Sequence, residues 1–418
     1  RFMHKEKIIG MIDSILHPKG KYSGNELYYI AQILDWDNHS NAVPFTLRFE
    51  QEFAKKMGVS YAIGHNSGTS TLHSCIAAAS IGYGDEVIMP AQSVLMNPLS
   101  VLHHNAIPIF VDIDEETFNI DPSKIESKIT SKTKAIQVVH MHGLPVDMDP
   151  IMELAKKYGL IVIEDTAQCM LGTYKDKIAG TIGHTGSWSF ETKKHLSTGE
   201  GGMVTTDIEE MGIKVRKNAG LGYKILGAGA PLKKVLPEQF QDPDYKRHDT
   251  LGWNYRLNEI TSALGLAQLE RIDELVDKRQ KCAEYFLDAI SECDFIIPQK
   301  VPEGYVNSYY TFSVRYLGEE MIDKTWKEFY NKYKEMGGDG FYGAVAVSYQ
   351  EPAIRNKEYF QSGYLNPKKY DEFPNYNDGM CPIAEKVQKQ MMSFKTNYRD
   401  LEEAKNQALI LKKLIKTF

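Results

Sequence analysis

Lys193 and Lys194 sit in the run Ser187-Trp-Ser-Phe-Glu-Thr-Lys-Lys-His-Leu-Ser-Thr-Gly-Glu-Gly-Gly202, between a strand-like segment and a glycine-rich turn. A lysine held just past a strand, beside hydroxyls and flexible glycines, can form a Schiff base with an aldehyde cofactor. Two adjacent lysines are also ordinary solvated surface, so the run needs companions. One lies upstream, where Ser60-Tyr-Ala-Ile-Gly64 reads as a short strand and His65-Asn-Ser-Gly-Thr-Ser-Thr71 leads into small and apolar residues suited to a helix packed on a sheet. Strand, polar glycine-containing turn and helix start together aim free amides and the positive end of a helix dipole at a phosphate. Serine and threonine in such a place also cap ordinary helices. The other companion lies downstream, where Leu160-Ile-Val-Ile-Glu-Asp165 is an apolar run ending in two carboxylates. It reads as a central parallel strand covered on both faces, with Asp165 at the carboxyl end, where open α/β sheets place ligands. A carboxylate there asks for a cation beside it, or caps the segment that follows.

These three pieces specify one cofactor: a cradle for a phosphate, an aspartate that keeps a pyridine nitrogen protonated, and a lysine that carries an aldehyde. That is pyridoxal 5′-phosphate, whose ring is the electron sink while the protein orients it and tunes its charge. With these residues placed, the chain resembles the sugar-aminotransferase family known as DegT/DnrJ/EryC1/StrS, a branch of the fold-type I pyridoxal phosphate enzymes. The motifs that carry the resemblance are Ser67-Gly-Thr-Ser70, Gly84-Asp-Glu-Val-Ile88, Pro108-Ile-Phe-Val-Asp112, Asn119-Ile-Asp121, Glu164-Asp165 through Gln168, Ser187-Trp-Ser-Phe190, Gly199-Glu-Gly-Gly202 and Gly252-Trp-Asn-Tyr-Arg256. They cover roughly the first two thirds of the chain, in the family's order and spacing.

The family places its Schiff-base lysine five positions before the first glycine of Gly-Glu-Gly-Gly, which selects Lys194 and leaves Lys193 a bystander. By the same resemblance Ser189 is a phosphate ligand, and Gly68, Thr69 and Ser70 form the main-chain and hydroxyl cradle. Asp165 pairs with the pyridine nitrogen and Gln168 lies near the ring hydroxyl. Asn254 reaches the phosphate of a neighbouring subunit, which implies a homodimer with shared active sites. The family's usual aromatic residue over the ring is replaced by Val94. The entry segment Asp35–Pro44 lacks the usual Gly-Pro, and the loop between Asn218 and Trp253 is longer than common.

The resemblance implies an aminotransferase that moves an amino group from glutamate or glutamine to a keto-sugar, nucleotide-linked, by a ping-pong mechanism with Lys194 as the proton carrier. Related dehydratases put histidine at the lysine position itself; here His195 follows Lys194, which favours transamination. A dehydratase or cyclitol aminotransferase on the same scaffold and a non-catalytic cofactor-binding sensor are the competing readings.

The elements that must position these residues alternate from about residue 45 to 275. Phe45 to Met57 is an amphipathic helix, followed by strands at Tyr61, Glu86, Ile107, Ala135 and Ile161, a helix over Met152 to Tyr158, and Met203-Val-Thr-Thr206 closing the sheet. Such alternation builds a mostly parallel sheet covered on both sides. The expected fold class is therefore α/β, a fold-type I aminotransferase with a mostly parallel seven-stranded-type central sheet sandwiched by helices, plus a smaller C-terminal α+β domain. Residues 1–30 are expected to pack on the small domain, 31–275 to form the cofactor domain, and 276–418 to form the small domain.

Composition sets the limits. The 418 residues, 42% of them apolar, are enough for two domains and a sizeable core. Forty-nine basic against fifty-five acidic residues give a net charge of −6, so neither bulk charge nor patterning points to nucleic acid. Cys75, Cys169, Cys282, Cys293 and Cys381 form no Cys-x-x-Cys pair, and an odd count suits a reducing compartment. No stretch reaches the roughly 18 apolar residues of a membrane span, so a cytoplasmic enzyme is expected. His140-Met-His142 offers alternate histidines without a recognisable third ligand, so no metal is expected. Gly220-Leu-Gly-Tyr and Gly227-Ala-Gly-Ala-Pro231, with Lys224, Lys233 and Lys234, form either a flap over a diphosphate or a plain flexible loop.

Overall fold

Residues whose side chains alternate between two apolar layers build the centre of the molecule. The computed structural model describes residues 23–35, 42–229, 236–343, 345–357 and 373–418. Seven strands form one sheet: β1 (Tyr61–His65), β2 (Glu86–Pro90), β3 (Ile107–Val111), β4 (Thr133–Val139), β5 (Ile161–Asp165), β6 (Thr185–Ser189) and β7 (Gly202–Thr206). Their spatial order is β1-β7-β6-β5-β4-β2-β3. In the run β3-β2-β4-β5-β6 each strand is parallel to the next, and β7 runs antiparallel to both β1 and β6. The closing strand thus enters the interior of the sheet, and both His65 and Ser189 pair with Gly202. A Cβ on Gly202 would stand 2.6 Å from the Trp188 carbonyl oxygen and 2.7 Å from that of Ser67, so only glycine lets these segments meet.

The period of two sorts the strand residues by face. Ile63, Val87, Met89 and Ile163 pack with helices α3 (Gly68–Ala78), α4 (Met96–Leu102) and α6 (Glu209–Ala219). On the opposite face Ala62, Trp188 and Met203 meet α2 (Phe45–Met57) and α7 (Glu259–Leu269), and Ile88, Ile136 and Val162 meet α5 (Met148–Tyr158). Helix α2 has the bounds its apolar spacing predicts, and it closes with Gly58 in the left-handed conformation at φ 72°.

Helix α8 (Ile272–Ile290) leaves this body: Ile272 and Val276 lie in the core under α2, whereas Cys282, Phe286 and Ile290 lie in a second core. That second core is built on an antiparallel sheet, β8 (Ile296–Pro298), β9 (Thr311–Tyr316) and β10 (Met391–Lys395), covered by α8, α9 (Trp326–Glu335) and α11 (Leu401–Ile415). Asp400 caps α11 by accepting from the Glu402 amide at 3.0 Å.

Two features differ from the expected division of the chain. Helix α1 (Glu26–Leu34) packs on α7 of the first body, through Gln268 Nε2 donating to Glu26 Oε1 at 2.6 Å and Asn25 Nδ2 to Glu270 Oε2 at 2.7 Å, and not on the smaller body. Residues 1–22 of the expected N-terminal segment lie outside the described residues, as do 36–41 of the entry segment. Second, 276–418 is not one packing unit. Val347, Tyr349, Tyr376 and helix α10 (Pro382–Gln390) return to the first core, where both tyrosine rings meet Phe110 of β3. Asp112, just past β3, fixes that return by accepting from the amides of Ala384 at 2.8 Å and Ile383 at 3.1 Å.

Candidate active site

The carboxyl ends of β4, β5 and β6 and the start of α3 converge on one place. Along β5 the pleat sends Glu164 and Asp165 to opposite faces, and their surroundings differ accordingly. Glu164 accepts from the amides of Gly180, Ile182 and Gly183 at 2.8, 2.8 and 2.5 Å and from His140 Nε2 at 3.0 Å. Since the Val146 amide donates to His140 Nδ1 at 3.0 Å, the proton of that ring is on Nε2. This carboxylate is structural.

Asp165, also buried, accepts from the Ala167 amide and from Asn97 Nδ2, each at 3.0 Å. Asn97 is oriented in turn by Gln137 Nε2, which donates to Asn97 Oδ1 at 2.6 Å. Burial raises the Asp165 carboxyl above its ordinary value, against the pull of these two donors and of the Lys194 charge.

Lys194 lies in a tight turn closed by its own amide donating to the Glu191 carbonyl at 2.9 Å, while the Lys193 amide donates to Glu191 Oε2 at 2.9 Å. The Lys193 side chain is exposed; that of Lys194 is half-buried, with Nζ 4.5 Å from the centre of the Tyr310 ring. Burial pulls the Lys194 amine down to about 8, with Asp165 and Glu191 holding it up and Arg279 and Lys193 pushing it further down. An amine in that range has a usable neutral fraction near physiological pH, as a nucleophile or proton carrier requires. His195 is buried, donates from Nε2 to the Ser308 carbonyl at 2.9 Å, and is held neutral by burial. It is a strut between the two bodies rather than a base.

Helix α3 opens at Gly68. Ser67 Oγ accepts from the Ser70 amide at 3.1 Å and Ser70 Oγ accepts from the Ser67 amide at 3.2 Å, a reciprocal cap. The amides of Gly68 and Thr69 belong to the first turn, which has no intrahelical acceptor for them. A Cβ on Gly68 would stand 2.6 Å from Ser189 Cβ and 2.9 Å from its Oγ, so the helix start and the end of β6 touch at this glycine. The Ser70 hydroxyl is committed to local bonds, donating toward Asn66 Oδ1 at 2.7 Å and the Ser67 carbonyl at 2.8 Å, whereas the Thr69 side chain is exposed.

The remaining expected residues take different places. Gln168 is buried and accepts from the His142 amide at 2.8 Å, which leaves Nε2 as its donor end. Val94 is half-buried, and its carbonyl accepts from the Asn97 amide at 3.2 Å. Asn254 is exposed and bridges Gly220 in antiparallel fashion, next to Tyr255, whose carbonyl accepts from the Asn66 amide at 2.8 Å. It borders the cradle from outside. His140 and His142 are separately engaged, His142 through Nδ1 and Thr311 Oγ1 at 3.0 Å, and among the described residues no group of three or more His, Cys, Asp or Glu is placed to hold a metal. In the long loop, Lys224 Nζ lies 4.0 Å from the centre of the Tyr245 ring, and Lys233 and Lys234 lie outside the described residues. The five cysteines are all free, and no described helix is long and apolar enough to cross a membrane.

Sequence reasoning missed four residues here. Asn97 stands out only as a polar residue in an apolar stretch, and Gln137 as one inside a strand. Tyr310 and Arg279 carry no local signal, because they come from the second body.

The arrangement fits pyridoxal phosphate: a cradle that a single methyl would fill, a buried carboxylate whose desolvation a protonated ring nitrogen would offset, and an amine of lowered basicity. The model of the DegT/DnrJ/EryC1/StrS aminotransferase family matches residues 22–411. The chain belongs to this family. Its cofactor is pyridoxal 5′-phosphate, and the chain is an aminotransferase of the sugar-aminotransferase kind. Among similar proteins, the GDP-perosamine synthase of Caulobacter vibrioides is 38% identical over 267 residues, 64% of this chain and 67% of the relative. The UDP-N-acetyl-3-dehydro-alpha-D-glucosamine 3-aminotransferase of Acidithiobacillus ferrooxidans is 30% identical over 345 residues, 82% of this chain and 81% of the relative. The X-ray structure of the aminotransferase from Psychrobacter cryohalolentis superposes with a TM-score of 0.82 at 28% identity, covering 96% of this chain and 98% of that one.

Proposed function

We propose that this chain moves an amino group from glutamate or glutamine to a keto-sugar carried on a nucleotide, in two alternating half-reactions with ping-pong kinetics. The observation that carries this reading is the Lys194 amine, half-buried, lowered to about 8 and set in the field of the buried Asp165 carboxylate. The names of the relatives, a GDP-sugar synthase and a UDP-sugar aminotransferase, support a nucleotide-linked acceptor.

When bound, pyridoxal phosphate supplies an aldehyde that captures amines and a ring that stores the electrons of a broken C–H bond. Lys194 Nζ would hold the cofactor between turnovers and, as a free amine, would carry the proton that leaves the substrate Cα. The buried Asp165 carboxyl would favour a positive charge on the ring nitrogen. Gln168, with its Nε2 left as a donor, and Val94 would help hold the ring. Ser189, the amides of Gly68 and Thr69, the Thr69 hydroxyl and the dipole of α3 would bind the phosphate, while Ser70, bonded to Ser67 and Asn66, would brace the cradle. Asn254 completes the phosphate site of a second copy, so the working unit is a homodimer.

The dehydratase reading requires histidine at the lysine position, where this chain has Lys194. Lys194→Ala is expected to abolish both turnover and the visible absorbance of the lysine-linked cofactor, while Lys193→Ala keeps both; the opposite pattern moves the register by one. Adding glutamate or glutamine to the loaded enzyme should bleach that absorbance. If neither does, aminotransfer from these donors is refuted and the idle-sensor reading stands.

A further inference from the structure

Arg279 is buried in α8, and its titratable neighbours among the described residues include no carboxylate. A charged side chain in such a place must be satisfied by neutral acceptors. Its Nη2 donates to the Lys193 carbonyl at 2.5 Å; its Nη1 donates to the Tyr310 carbonyl at 2.8 Å and to Thr396 Oγ1 at 3.3 Å. The guanidinium carbon also lies 5.6 Å from the centre of the Tyr310 ring, which Lys194 Nζ approaches at 4.5 Å. Three backbone segments distant in sequence, the lysine turn, the start of β9 and the residue after β10, are thus tied by one planar cation. The fork geometry suits arginine and not lysine.

We propose that Arg279 is a positioning residue of the amino transfer: it clamps the main chain of the lysine turn at Lys193 to the second body and sets the charge environment in which Lys194 works. This rests on the reading that Lys194 is the reacting amine. Arg279 accounts for one of the two cations that lower the Lys194 amine, the other being Lys193, while Asp165 and Glu191 act in the opposite direction and the Tyr310 phenol is kept neutral by burial. Arg279 is itself lowered by burial, to about 10, and stays charged at neutral pH; Tyr342 and Cys282 are its other titratable neighbours. The carbonyl it holds is that of the residue immediately before Lys194, so loss of the clamp frees the turn at the peptide bond that aims the side chain.

The test is a titration of Lys194 in cofactor-free protein by acetic anhydride labelling over a pH series, with the modified peptide quantified by mass spectrometry, in the parent and in Arg279→Met, Arg279→Gln and Arg279→Lys. Removing the charge in Arg279→Met is expected to raise the labelling midpoint, so that labelling at pH 8 slows while labelling well above the midpoint does not. Arg279→Gln carries the same expectation if Arg279→Met does not fold. Arg279→Lys is expected to restore the midpoint and yet leave kcat at least about tenfold down with KM little changed, since an ammonium cannot reproduce the three-way fork. Midpoints unchanged in both neutral variants, with only the melting temperature lowered, would make Arg279 a structural tie and overturn the proposal. Borohydride reduction of the loaded parent, followed by peptide mapping, separates this from failure of the underlying reading: cofactor found on a residue other than Lys194 refutes that reading, whatever the labelling midpoints show.

Discussion

Gly68→Ala tests the phosphate cradle with a single methyl group. The new Cβ would stand 2.6 Å from Ser189 Cβ, 2.9 Å from Ser189 Oγ and 3.3 Å from Ser189 Cα, so either the Ser189 side chain or the first turn of α3 must shift. Helix propensity favours the substitution, since alanine at a helical position is better than glycine by about 1 kcal/mol. Sterics therefore oppose propensity, and the two act on different observables. A displaced Ser189 hydroxyl, or amides of Gly68 and Thr69 turned off axis, removes hydrogen bonds to a dianionic phosphate that are worth about 1.5–3 kcal/mol each. The expected result is cofactor affinity weaker by about 10- to 150-fold, with a melting temperature of the cofactor-free protein close to the parent's. Equilibrium dialysis of the cofactor against cofactor-free protein measures the first, and thermal unfolding measures the second. Gly82→Ala is the matched control, because a Cβ there meets nothing within 4 Å. Affinity of the Gly68 variant within about twofold of the parent would show that the phosphate does not sit where α3 meets β6.

Two further predictions concern charge. The folded-state value of Lys194, about 8, lies below its ordinary 10.5, so burying this group costs stability in full below pH 8 and ceases to do so as pH rises toward 10.5. Lys194→Met in cofactor-free protein should therefore be more stable than the parent at pH 7 by a margin on the order of 2–3 kcal/mol that falls below about 1 kcal/mol at pH 10, as read by urea unfolding at several pH values; a margin independent of pH would refute the assignment. Asn97→Val removes a donor that lowers the Asp165 carboxyl, so the acid limb of the kcat/KM profile should move to higher pH while the alkaline limb stays, and an unmoved acid limb would mean that Asp165 ionisation is not what that limb reports.

Much of the site was legible because its parts are local. The apolar run to Asp165, the polar turn at Gly68 and the lysine before Gly-Glu-Gly-Gly each pair a strand end with the group it presents, so period-two patterning places the chemistry without knowledge of the fold. Asp165 stands out over Glu164 as the last residue of the strand, and the family resemblance adds its role beside the pyridine nitrogen. The three amide donors that claim Glu164 come from residues 180–183, beyond any local pattern. Arg279 was hidden for a related reason: in Asp277-Lys-Arg-Gln-Lys281 it reads as one more charge on a solvated helix face, which is what Lys278 and Lys281 are, with exposed partners Glu274 and Asp277. Burial of one member of such a run is decided by what packs across it. Residues 345–357 and 373–391 fall to the smaller body by position in the chain alone; their aromatic residues have no periodicity to say which core they join.

The return of those residues has a practical consequence. Phe110, at the outer strand of the sheet, is 2% exposed with Tyr349 and Tyr376 against it, their ring centres 5.6 and 5.3 Å away. A chain cut after α8 would keep every cofactor-facing group of the larger half and still uncover a hydrophobic flank that begins at the edge of β3. Such a fragment is expected to self-associate, which gel filtration of the cut chain would read.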